Sequence, residues 1–110
     1  LSADWAFNSS DITIACPDGY MVLEVIMNIQ TALDGLGTVT VGYTGATTAF
    51  LADADVGGGA QGYYRASEGT AAKANGYKLG VAEDVIIDIT TGTSLAGAGE
   101  VYVLAAPVVS

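Results

Sequence analysis

Hydrophobic and polar residues alternate along much of this chain. In "ITIAC", Ile12, Ile14 and Cys16 share one face. The run "YMVLEVIMNIQT" puts Leu23, Val25, Met27 and Ile29 on one face, and Val22, Glu24, Ile26, Asn28 and Gln30 on the other. "TVTVGY" points Val39, Val41 and Tyr43 inward, "DVIIDIT" does the same with Val85, Ile87 and Ile89, and "EVYVLA" with Val101, Val103 and Ala105. A period of two, with abundant β-branched residues, is the mark of strands buried on one side. Turn signals separate these runs: "PDG" at 17–19, "DGLG" at 34–37 and "TGTSLAGAG" at 91–99. The predicted core is Leu23, Val25, Met27, Ile29, Val39, Val41, Val85, Ile87, Ile89, Val101 and Val103.

Two stretches depart from the alternation. Residues 44–80 are rich in glycine and small side chains. Within them "TTAFLADADV" predicts a helical turn capped by Thr47 or Thr48, with Phe50, Leu51 and Val56 packed inward, and "GYKLG" predicts a short strand. Residues 1–11, "LSADWAFNSSD", admit two readings: an extended N-terminal arm ahead of a domain at 12–110, or a first strand with Trp5 and Phe7 on one face. The arm reading makes a prediction of its own, that Trp5 docks on a partner. Six to eight short strands with little helix predict an all-β fold, a single antiparallel β-sandwich of jelly-roll or Greek-key type with at most one short helix. Val22, Ile26, Ile86 and Leu104 fall on outward faces, more apolar surface than a lone domain leaves open.

Charge narrows the functions. Twelve acids against three cations give a net charge of −9. Such a surface repels nucleic-acid backbones and anionic headgroups, and Arg65, Lys73 and Lys78 make no basic patch. Neither nucleic acid nor membrane is an expected partner. Histidine is absent, which removes the usual general base and the commonest transition-metal ligand. Cys16 stands alone on an apolar strand face and reads as core filler.

Three local patterns invite chemistry. Gly57-x-Gly59-x-x-Gly62 has the spacing of a dinucleotide fingerprint, but "FLADADV" before it is too polar for a central parallel strand, and Gly69 and Gly76 break any helix after it. Asp53 and Asp55 are two apart on a loop, as ligands of a hard cation can be, yet the calcium-loop pattern fails at Gly57 and Tyr64. No carboxylate pair is marked for acid–base work. The expectation is therefore no catalytic residue, no cofactor and no metal. Tyr63, Tyr64 and Arg65 are residue types that interfaces favour, and with Trp5 and Phe7 they form the candidate partner surface.

The segment "AEDVIIDITTGTSLAGAGEVYVLAAP", the earlier "CPDGYMVLEVIMNIQTALDG" and "VTVGYTG", and the element "FLADADV" resemble the pattern of small tailed-bacteriophage virion proteins of the head decoration or cement type. The resemblance covers about two thirds of the chain and carries no catalytic motif. It implies a non-enzymatic structural protein on the surface of the virus particle, bound to the major capsid protein or another virion protein, and acting as a homo-oligomer, most often a trimer. A tail or fibre component is the alternative within that class. A carbohydrate-binding β-sandwich, stacking sugars on Trp5, Tyr63 or Tyr64, is the alternative outside it.

Overall fold

Alternation of this kind leaves every strand with one apolar face to hide, and two sheets hide theirs against each other. The computed structural model describes residues 1–17 and 19–108. Nine strands are found among them: β1 (Ser2–Ala6), β2 (Ile12–Ile14), β3 (Tyr20–Thr31), β4 (Thr38–Tyr43), β5 (Ala46–Leu51), β6 (Gly62–Arg65), β7 (Tyr77–Lys78), β8 (Val85–Thr90) and β9 (Ala98–Pro107). All pair antiparallel. Sheet A has the order β1-β9-β3-β6, with β7 also beside β3, and sheet B has the order β2-β8-β4-β5. The pairing is nested: β1 with β9, β2 with β8, β3 with β6 and β7, and β4 with β5. One long hairpin folded over itself gives this order, which is that of a jelly roll.

The core lies between the sheets. Sheet A supplies Trp5, Val22, Val25, Met27, Ile29, Val101 and Val103, and sheet B supplies Ile14, Val39, Val41, Val85, Ile87 and Ile89. Every predicted core residue is buried except Leu23, which is 52% exposed. The reason is a β-bulge. Val22 faces Ala105 and Glu24 faces Leu104, so Leu23 is an extra residue with no partner on β9. A bulge resets the two-residue alternation. Val22, expected on the outward face, therefore points into the core and is buried.

The N-terminal segment is not a free arm. Residues 2–6 pair in continuous register with β9, from Ser2 opposite Tyr102 to Ala6 opposite Ala98. Trp5 lies opposite Gly99 and is buried, and its Nε1 donates to the Met27 sulfur at 3.1 Å. A Cβ at position 99 would collide with the Asn28 backbone carbonyl and stand 3.0 Å from the indole ring, so glycine there admits both β3 and the tryptophan. Phe7 follows the strand, half-buried, with its N–H bonded to the Gly97 carbonyl.

Residues 44–80 fold as strand and turn more than helix. "ATTAFL" is β5, joined to β4 by a two-residue turn at Thr44–Gly45, so Thr47 and Thr48 lie in a strand and cap no helical turn. Phe50 and Leu51 are buried as expected, but from a strand. The helical element, Asp53–Gly59, is two 3₁₀ turns separated by a kink at Val56–Gly58, where the backbone leaves helical geometry and Val56 is buried, and a single 3₁₀ turn follows at Ala66–Glu68. Tyr77 of β7 stacks on Tyr43 of β4, with ring centroids 4.2 Å apart, and both tilt against Phe50. This aromatic group ties sheet A to sheet B along one side. Asp18, of the predicted turn at 17–19, and the last two residues of the domain predicted at 12–110 lie outside the described residues.

Candidate interaction surfaces

The outer face of sheet A follows from the register. One row of outward positions runs Asp4, Glu100, Asn28, Tyr63 across four strands, and the next runs Ser2, Tyr102, Ile26, Arg65. Tyr63 is 75% exposed and Tyr102 is 38% exposed. Between them Glu100 acts as a hub. Its carboxylate accepts from Asn28 Nδ2 at 3.3 Å, Gln30 Nε2 at 3.2 Å and the Tyr102 hydroxyl at 2.9 Å. The bond to Glu100 raises the Tyr102 phenol above its ordinary value, because ionising it would set two negative charges side by side. Asn28, Gln30 and Tyr102 are thus held on one carboxylate.

Toward one end the same face becomes apolar. Leu104 is 49% exposed beside Leu23. With Leu1, Pro17, Tyr20 and Ala105 they line an open groove of ≈ 620 Å³. Glu24 sits at its margin but is engaged within the chain: it accepts from the Ser67 hydroxyl at 2.5 Å and the Ser67 N–H at 3.1 Å. Burial pushes the Glu24 carboxyl up, yet these bonds outweigh it and hold the group below its ordinary value.

A second surface lies at one tip of the sandwich. The β3–β4 loop presents Leu36, 76% exposed, and the β8–β9 loop presents Leu95, 82% exposed. The two loops are tied together. Leu36 N–H donates to Thr93 Oγ1 at 3.0 Å, and Gly37 N–H to Ser94 Oγ at 2.9 Å. Asp34 Oδ1 accepts from the N–H groups of Leu95 at 2.7 Å and Ala96 at 3.0 Å. The Ser94 hydroxyl closes on the Asp34 carbonyl. The Leu95 and Ala96 bonds hold the Asp34 carboxyl below its usual range. These loops read in the sequence only as turn signals. The one hint was a leucine in each, and nothing there marked the two as neighbours.

The candidate partner residues separate. Tyr63 and Arg65 are exposed on the outer face of sheet A. Tyr64, the residue between them, points inward, packs against the core and donates its hydroxyl to the Ala60 carbonyl at 2.7 Å. Trp5 is in the core, so it presents nothing to a partner, and Phe7 is half-buried at the strand end. Their sequence neighbourhood resembled an interface because aromatic type does not reveal facing.

The other patterns become structural. Gly57, Gly58 and Gly59 have φ of 63°, 66° and 93°, and the chain turns there from the 3₁₀ segment straight into β6, with no helix to receive a pyrophosphate. Asp55 accepts from Ala52 N–H and Thr70 N–H, both at 3.0 Å, and so clamps the loop around it. Among the described residues no three acids or cysteines gather as a metal site. Burial raises the Cys16 thiol above its ordinary value, which keeps it protonated and unreactive. Among the described residues no helix is long and apolar enough to cross a membrane. In comparisons with known proteins, no family model matches the chain, and neither a curated protein nor a solved structure matches it.

Proposed function

We propose that this chain is a non-enzymatic structural protein of a virus particle, of the head decoration or cement type, which sits on the particle surface as a homo-oligomer and binds the major capsid protein. The observation that carries the reading is the leucine tip. Leu36 and Leu95 project from two loops cross-tied by Asp34, Thr93 and Ser94. An apolar anchor already held in its bound shape loses little entropy on docking and excludes water at the centre of a contact. Many such contacts, one per copy, add by avidity to brace a shell. The resemblance of the chain to decoration proteins supplies the virion setting. The acidic surface suits a protein that covers the outside of a particle and must not bind its nucleic acid.

The test is co-sedimentation with emptied capsids. The expected result is binding by the natural chain and a loss of at least tenfold in affinity for Leu36→Asp combined with Leu95→Asp, with thermal unfolding unchanged. Unchanged binding by that variant overturns the role of the tip, and absence of binding by the natural chain overturns the virion reading. A carbohydrate-binding role is the second reading. Tyr63, 75% exposed on the outer face of sheet A, favours it, while the buried Trp5 and inward Tyr64 contribute nothing to it.

A further inference from the structure

Charge is spread unevenly along the sandwich, and the register gives each group its place. The loops of the leucine tip, residues 32–37 and 91–97, hold one ionisable side chain, Asp34, whose carboxylate accepts from the Leu95 and Ala96 N–H groups. Behind these loops stands a collar of acids. On sheet A, Glu100 and Asp4 face each other, and Glu100 is two residues from the tip end of β9. On sheet B, Asp88 lies opposite Thr40, two residues from the same end of β8. Asp11 Oδ1 accepts from the neighbouring Ile89 N–H at 3.1 Å. Asp53 opens the 3₁₀ element whose last residue, Gly59, accepts from Leu33 N–H at 3.0 Å. Asp4, Asp11 and Asp53 are exposed.

The three cations lie elsewhere. β3 ends at the tip with Thr31; Arg65 is opposite Ile26, part-way back along that strand, and Lys78 is opposite Met21, near its far end. At about 3.3 Å per residue, those positions are roughly 17 Å and 33 Å from the tip end. Lys73 is also at the far end, with its Nζ 5.4 Å from the ring centroid of Tyr77, the β7 residue opposite Val22. The screening length at physiological salt is about 8 Å, so none of the three offsets the charge at the tip end. The molecule therefore carries uncompensated acid around its apolar anchor and all of its positive charge behind it.

We infer that the tip enters an apolar pocket bordered by lysine and arginine side chains on the partner protein. The inference rests on the docking of the tip proposed above and adds the chemistry of its receiver. Leu36 and Leu95 are exposed and fit an apolar floor. The collar decides the border: an acidic one repels it, and a cationic one complements it. Rim charges stay hydrated and act on the rate of encounter more than on the lifetime of the contact. The uneven field also orients the chain, which approaches a cationic surface with the tip ahead and its own cations trailing. The leucines then set how long a copy stays, and the collar sets how fast it arrives.

The test measures association and dissociation rates of the full chain on immobilised emptied capsids. Between about 0.02 M and 0.3 M salt the association rate of the natural chain is expected to fall at least tenfold, with dissociation changed less than about twofold. Two triple variants remove the same charge from opposite ends and keep every acceptor oxygen. Asp11→Asn, Asp53→Asn and Asp88→Asn together are expected to slow association at low salt about fivefold and to leave dissociation within about twofold. Glu68→Gln, Glu83→Gln and Asp84→Asn together are expected to leave both rates within about twofold. Equal slowing by the two triples overturns the inference, because net charge and not the collar then acts. Association of the natural chain that is indifferent to salt, or quickened by it, overturns the inference while leaving the docking itself in place. Absence of binding by the natural chain overturns the virion reading and the inference with it. The salt series uses the natural chain alone and decides the matter even where a variant fails to fold.

Discussion

Replacing Trp5 by alanine tests whether the first residues are a docking arm or a strand of the core. The indole is 3% exposed, packed over Gly99, with Nε1 on the Met27 sulfur. A buried tryptophan hides about 200 Å². At about 25 cal/mol per Å² its transfer is worth about 5 kcal/mol. A compact unfolded chain lowers this toward about 3–4 kcal/mol, and the cavity left behind adds back part. The expected loss is about 4 kcal/mol, within the range measured for such changes. It is a large share of the roughly 5–15 kcal/mol that holds a domain of this size. With a urea slope of roughly 1.5 kcal/mol per M, the midpoint falls by about 2–3 M. Because Trp5 is the only tryptophan, unfolding is followed by circular dichroism and tyrosine emission rather than indole fluorescence. Deleting residues 1–7 strips β9 of its neighbour as well and is expected to abolish cooperative unfolding. A Trp5→Ala midpoint within 0.5 M of the natural one (about 0.8 kcal/mol at that slope), or a truncated chain that unfolds cooperatively near the natural midpoint, refutes the reasoning and restores the arm.

The bulge in β3 sets Val25→Ala, expected to cost about 2 kcal/mol from cavity formation, against Leu23→Ala, expected to cost under about 0.5 kcal/mol; equal losses in urea unfolding contradict the register. Asp55→Ala removes the acceptor of two backbone N–H groups and is expected to cost about 1–2 kcal/mol, while Asp53→Ala on the same exposed loop leaves the midpoint in place. Asp34 and Glu24 both sit below their ordinary values when folded. The unfolded chain therefore binds protons first, their stabilisation is complete above about pH 5, and it is lost as pH falls through the folded values. Asp34→Ala is expected to flatten the acid arm of a stability–pH curve, and an unchanged arm counts against the loop staple. Tyr77 runs the other way: the bond to Glu83 raises its phenol, so its contribution is whole below about pH 10 and is lost as pH rises through the folded value. Tyr77→Phe is then expected to lose alkaline sensitivity in the same measurement.

Alternation was enough to place β3, β4, β8 and β9 and to name their inward sides, because the two-residue period is a local property of a pleated chain. It named Val25, Met27, Val39, Ile87 and Val101 for the core without any knowledge of what they would touch. The same reasoning failed at Leu23 and Val22, since a bulge arises only where β9 supplies one residue opposite two. It left residues 1–11 divided between arm and strand, because an edge strand is defined by its partner, and β9 lies about a hundred residues away. It misjudged "TTAFL", whose strand form depends on pairing with β4. Composition alone excluded histidine chemistry and a basic binding patch. Which exposed residues stand together was decided only by the nested pairing: it brings Tyr63 of β6 into one row with Asn28, Glu100 and Asp4, and it sets Leu36 beside the loop of Leu95. Facing follows from local period, but adjacency between distant segments is a property of the closed hairpin, and the surfaces of this protein are made of adjacency.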